Sequence, residues 1–298
     1  MKTSERTADP MESSAKRPLW IATGGTVSCI QGERGLVPAA SPEQMERIKD
    51  ELCLDCRLLC LMNTDSANNS VEIMDTLAQT VYDELKKNIC SRIVITHGTD
   101  TLAFTAAYLD SAVKGADIPV VTVGSQLPYG TPGSDAPENL RTAFNCELGA
   151  GFYVVSYDSV YSAGSAYKAD SRDERAFEGL YAEGRAQAGE LVLYRPKYPR
   201  VGVLWLTPFT LPEDVKAFES YDAAVICAYG TGTVPERLIP ALRELSAGVR
   251  TAVVSQCRRG GIRRDVYATS LPKDLNIPDS SGISLEKAAA MLALFGSL

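Results

Sequence analysis

The sequence predicts an α/β protein built on a mostly parallel sheet flanked by helices, and two observations carry that expectation. Continuous apolar runs bounded by Gly or Pro recur along the chain, as strands buried on both faces require. Segments of helical period separate them, so strand and helix alternate.

Taken in order, a strand at 18–23 ends at Gly24-Gly25, and a helix follows at 71–87. The strand at 92–96 runs into His97-Gly98 and leads to a helix at 102–114. Strands at 119–123 and 151–156 flank a helix at 138–148. The later series has strands at 201–206, 223–228 and 249–255, with helices at 211–218 and 235–247. Polar and glycine-containing residues follow each strand, so functional groups are expected where strands end and loops begin. Residues 186–200 are polar, hold Pro196 and Pro199, and precede the second series. They mark a boundary, giving a polar tail at 1–17, a first domain at 18–188, a linker at 189–200 and a second domain at 201–298.

Composition narrows the function. At 298 residues and 45% hydrophobic, the chain can bury a sizeable core. A formal charge of −7 disfavours nucleic acid and anionic membrane surfaces and suits a small-molecule partner. Residues 1–17 have no apolar stretch of the kind a signal peptide needs, and no run is long enough to span a bilayer, so a soluble, cytoplasmic protein is expected. The eight cysteines lie in apolar segments, where reduced, buried thiols are expected.

Two motifs carry the chemistry. In Thr23-Gly24-Gly25-Thr26, a strand ends where two glycines turn the backbone sharply, which lets Thr26 stand clear of the sheet edge as a candidate nucleophile. The plainer reading is a turn with locally bonded hydroxyls. In His97-Gly98-Thr99-Asp100-Thr101, a strand runs through hydroxyls and a carboxylate into a helix. Asp100 and Thr101 suit an ordinary helix cap. The same geometry offers N–H groups to an oxyanion and Asp100 to a substrate ammonium.

Together the two motifs resemble the bacterial-type L-asparaginase family, in its cytoplasmic, type I-like form. Val123-Gly124-Ser125-Gln126-Leu127-Pro128, with Ser134 to Leu140 after it, is similar to the family's next loop and helix. Asp65-Ser66-Ala67-Asn68 resembles the loop that receives the substrate's α-carboxylate. The resemblance extends to Tyr229-Gly230-Thr231-Gly232-Thr233 and to Cys257-Arg258-Arg259-Gly260-Gly261. It implies a larger N-terminal α/β domain, a smaller C-terminal α/β domain, and a homodimer or homotetramer whose sites are completed where protomers meet. It also implies hydrolysis of L-asparagine to L-aspartate and ammonia, with no cofactor and no metal.

By position in the motifs, the resemblance makes Thr26 the nucleophile and Thr99, Asp100 and Lys168 a second catalytic group. Ser66, Thr99, Asp100 and Ser125 become substrate-binding positions. A lysine base needs burial to favour its neutral form and a carboxylate to position it. Without the resemblance, Lys168 reads as an exposed lysine. The chain departs from the pattern at Leu36, where family members commonly carry a mobile-loop tyrosine that assists the nucleophile, and at Ser165, where an arginine is often found. Glu33, Tyr129 and Tyr161 are the groups considered in place of that tyrosine.

Other chemistries fit less well. His97 is the only histidine, and its place at the end of a strand beside the second motif favours a packing role over a serine-histidine hydrolase. Cys53 and Cys56 form one pair without a second, so a zinc site is not expected. Arg258, Arg259, Arg263 and Arg264 read as a solvated basic loop. The related protein that supplies ammonia for glutaminyl-tRNA formation normally carries an extra N-terminal domain, which the polar tail is not expected to provide. The remaining readings are an amino-acid-binding or regulatory protein with weakened turnover, and an amidase acting on glutamine as well as asparagine.

Overall fold

The computed structural model describes residues 16–180, 189–275, 277–278 and 283–298. Most of the expected polar tail and residues 186–188 of the expected boundary therefore lie outside the described residues.

The first half of the chain runs β1 (Arg17–Gly24), a hairpin of β2 (Cys29–Gly32) and β3 (Gly35–Pro38), α1 (Pro42–Glu51), β4 (Arg57–Thr64), α2 (Val71–Lys87), β5 (Cys90–Thr96) and α3 (Leu102–Ala112). It continues through β6 (Val113–Lys114), β7 (Pro119–Val123), α4 (Ala136–Asn145), β8 (Gly151–Ser156), β9 (Ser159–Ser162), β10 (Tyr167–Lys168) and β11 (Phe177–Glu178). The second half runs β12 (Val192–Leu193), β13 (Val201–Trp205), α5 (Pro212–Lys216), β14 (Ala223–Ala228), α6 (Ile239–Gly248), β15 (Arg250–Ser255) and α7 (Leu285–Phe295).

A six-stranded sheet in the order β4-β1-β5-β7-β8-β9 forms the larger layer. Its strands pair in parallel except at the edge, where β9 turns back antiparallel to β8. Alternate residues supply two cores. Leu19, Ile21, Ile93, Ile95, Phe152 and Val154 face α2 and α3, while Trp20, Ala22, Val94, Val121, Tyr153 and Val155 face α1 and α4. Both faces are covered, so these strands read as unbroken apolar runs. The smaller sheet, β13-β14-β15, is parallel throughout and packs on α5 and α6.

α7 joins the two layers. Ala290 and Leu294 complete the large core, and Ala288 and Leu292 cover the second face of the small sheet. Lys287 Nζ also reaches Asp110 Oδ2 of α3 at 2.5 Å, with the two side chains only 10% and 19% exposed.

The structure corrects several expectations. The helix expected at 102–114 stops at Ala112, and Val113 and Lys114 extend to pair with β12, inside the segment expected as linker. β4, the hairpin, α1 and α7 are additions to the expected elements. β4 is a half-buried edge strand without clean alternation, and α7 is apolar nearly all round, so neither shows a one-sided period. Cys53 and Cys257 are exposed, contrary to the uniform burial expected; burial pushes the Cys56 thiol up to about 11 and the Cys227 thiol up to about 12. The arginine cluster is not merely solvated either: Arg258 pairs with Glu286 and stacks on Tyr167, and Arg259 reaches Glu178 at 3.3 Å.

Candidate active site

Four loops meet at the C-terminal ends of β1, β4, β5 and β7, the edge at which parallel sheets gather ligands. Their packing is close. Gly25 adopts φ 76, and a Cβ placed there would lie 2.6 Å from the Gly98 Cα. A Cβ on Gly98 would lie 2.7 Å from the Ser66 Cβ. The first motif, the second motif and the Ser66 loop are thus stacked through glycine backbone, and Thr26 directly follows the glycine that packs on Gly98.

Thr26 opens a short 3-10 turn, Thr26–Ser28, at a half-buried position. Below it, Thr23 Oγ1 donates to Thr96 O at 2.7 Å and fixes the first strand end to the second. Thr99 is buried beside β5, whereas the Asp100 side chain is 64% exposed at the mouth.

Lys168 sits on β10, which pairs with β11 in a short antiparallel ribbon. Its Nζ donates to Thr99 Oγ1 and to Asp100 Oδ1, each at 2.8 Å. The lysine is only 21% exposed, so it is not the free surface lysine of the plainer sequence reading. A hydroxyl, an amine and a carboxylate in mutual contact can pass a proton from the hydroxyl to the amine once the amine is neutral, with the carboxylate orienting it.

Ser66 is buried and opens its own short turn, with Asp65 capping it by accepting from Ala67 N at 3.0 Å. Thr101 Oγ1 donates to Ser66 O at 2.9 Å and ties this loop to the second motif. Ser125 is buried too, and its hydroxyl donates to Leu127 O at 2.7 Å, so it holds the turn after β7.

Asp135 and Asn139 keep that turn in place. The Asp135 carboxylate accepts from Gln126 N and Leu127 N at 2.9 to 3.0 Å, and Asn139 Nδ2 donates to Asp135 Oδ2 and to Gly124 O. Asp135 stands at the start of α4 yet caps no N–H of that helix. The sequence assigns no role to this clamp, because the partners of the Asp135 carboxylate lie eight and nine residues back, across the turn.

His97 takes the packing position expected of it. Its Nδ1 donates to Gly98 O at 2.9 Å, which leaves Nε2 to accept from Thr105 Oγ1 at 3.1 Å. Among the groups considered for the missing tyrosine, Tyr161 is packed into the large core and Glu33 is exposed on the hairpin. Tyr129 shares an open crevice of about 530 Å³ with Leu36, Cys29 and Glu51, where burial and a hydrogen bond to Glu51 push its phenol up. Among the described residues no three His, Cys, Asp or Glu side chains cluster as metal ligands, and no helix is long and apolar enough to cross a membrane.

Comparison with known proteins places the chain in a family. Residues 19–197 match the family described as Asparaginase, N-terminal. The L-asparaginase of Thermococcus kodakarensis is 32% identical over 269 residues, spanning 82% of this chain and 81% of that protein. One component of the glutamyl-tRNA(Gln) amidotransferase of Thermoplasma volcanium is 27% identical, spanning 92% of this chain and 74% of its own length. Among solved structures, the thermostable L-asparaginase from Thermococcus kodakarensis aligns with a TM-score of 0.84 at 28% identity over 93% of this chain and 92% of that one. A probable cytoplasmic L-asparaginase from Campylobacter jejuni shares the fold, with a TM-score of 0.76 at 24% identity over 94% of each chain.

Proposed function

Because the chain belongs to the asparaginase family, we propose that it hydrolyses L-asparagine to L-aspartate and ammonia through an ester on Thr26. The observation that supports this most directly is the Lys168 amine held at 2.8 Å from both Thr99 and Asp100, beside the loop that carries Thr26.

In this reading Thr26 Oγ attacks the side-chain amide carbon and the amide nitrogen leaves as ammonia, carrying the threonine proton. A water then attacks the β-aspartyl ester. Thr99 takes a proton from that water while passing its own to the neutral Lys168 amine, and aspartate departs as Thr26 regains a proton. Ser66 receives the substrate's α-carboxylate, Asp100 its ammonium, and the backbone beside Ser125 the side-chain amide. The residues work within a first domain at 18–188, joined through 189–200 to a second at 201–298, in a cytoplasmic homodimer or homotetramer.

Purified protein is expected to release ammonia from L-asparagine, and Thr26→Ala to abolish that release while leaving the fold intact. Lys168→Ala is expected to cut turnover by about 100-fold or more, the usual contribution of a positioned acid or base. Exposed Leu36 favours a second reading, an amino-acid-binding protein with weakened turnover. Asparagine binding without ammonia release would establish that one, and comparable rates on glutamine would broaden the substrate range.

A further inference from the structure

Thr99 Oγ1 has more than one partner. Besides accepting from Lys168, it lies 3.3 Å from Gln126 Oε1. A hydroxyl has one proton to give, and an ammonium can only donate. The Thr99 proton therefore points to Gln126 while Lys168 is charged.

The orientation of the Gln126 amide follows from its other end. Gln126 Nε2 donates to Asp173 O at 3.2 Å, and a carbonyl can only accept. The amide oxygen must then face Thr99. The backbone around Gln126 is also fixed, since the amide N–H groups of Gln126 and Leu127 bind the Asp135 carboxylate. Asp173 belongs to the loop between β10 and β11, the ribbon that carries Lys168. That loop is held in shape where the Asp170 carboxylate accepts from Arg172 N and Asp173 N, and it is tied to β8 where Ser156 Oγ donates to Glu174 O. Behind Thr99, Gln126 and Ser156 there is a cavity of only about 10 Å³, room for about one water.

We propose that Gln126 is a positioning residue that holds the Thr99 hydroxyl between Lys168 and the substrate and couples it to the loop at 169–176. While the lysine is charged, Gln126 accepts the threonine proton and keeps the oxygen's lone pair on the amine. When the lysine is neutral, the same proton swings to its nitrogen and the oxygen accepts a new proton from the attacking water. Gln126 acts on the hydrolysis through the Thr99 hydroxyl. This inference rests on the reading in which the Thr99–Lys168 pair serves the hydrolysis.

The test compares Gln126→Leu, which keeps the bulk and removes the acceptor, with Gln126→Glu, which keeps an acceptor and adds charge. Gln126→Leu is expected to lower kcat about tenfold with KM little changed, the value of one lost hydrogen bond at the transition state. Gln126→Glu is expected to retain more activity than Gln126→Leu at alkaline pH, and to move the rising limb of its kcat/KM profile to higher pH, because a second carboxylate joins Asp100 beside the ammonium. A Gln126→Leu enzyme within about twofold of the parent overturns the proposal. So do equal losses in both variants with an unmoved limb, which mark a merely structural residue. Thr99→Ala, assayed beside them, separates the two levels: if it keeps full turnover, the underlying reading fails, whatever Gln126 does.

Discussion

His97 gives both ring nitrogens to neighbours of the second motif, Gly98 O and Thr105, and is almost wholly out of water. Burial holds its pKa below the ordinary 6.5, with the bond to Gly98 opposing in part. The folded state thus binds fewer protons than the unfolded chain below that ordinary value, so stability is present above about pH 6.5 and is lost as pH falls. Thermal midpoints are expected to drop between about pH 7.5 and 5.5, by up to about 1.4 kcal/mol of stability per pH unit, and His97→Gln is expected to flatten that slope. An unchanged slope in the variant would assign the loss to other groups. At this scale the sequence was readable where chemistry and motif coincide. The fold brings Thr99, Asp100 and Lys168 into contact, although Lys168 lies 68 residues from Asp100. Gln126 and Asp135 were unreadable, because what matters in them is which backbone atoms the fold delivers to their side chains.

Elements explain why the motifs are spaced as they are. Strands buried on both faces were legible because continuous apolar runs have few other uses, and β7, β8 and β14 begin and end where the residues predict. The hairpin and β4 were not, since edge elements are half wet and lack a clean period. The stacking of strand-end loops is a matter of elements too. Gly25→Ala combines a left-handed φ with a Cβ 2.6 Å from Gly98, and is expected to cost more than about 2 kcal/mol. Gly35→Ala, at φ 122 with open space around it, carries the conformational cost alone, about 1 kcal/mol. Denaturant midpoints for the pair check the difference; equal losses would mean that loop stacking contributes nothing.

Across the whole molecule, α7 makes the two sheets interdependent. Its residues enter the core of the larger sheet and cover the smaller, and Lys287 is paired with Asp110 at the junction. The two tryptophans report separately on the two layers, Trp20 from the large core and Trp205 from the small sheet. Trp20→Phe and Trp205→Phe proteins, each followed by the fluorescence of the remaining tryptophan, are expected to unfold at coincident urea midpoints once each is corrected for its own stability. Lys287→Met is expected to lower both midpoints together, by about 3 kcal/mol for a buried pair broken on one side. Midpoints that separate would show two sheets that unfold independently.

α7 also sets an order of events for a chain made from its N-terminus. The strands and helices of the larger sheet leave the ribosome long before residues 285–295, yet the outer surface of α3 waits for Ala290 and Leu294 to cover it. Until then, apolar surface on α3 stays open to water. The half that holds the larger sheet is synthesised first and finished last, so a nascent chain stalled before Leu285 is an aggregation-prone species for which a chaperone would compete.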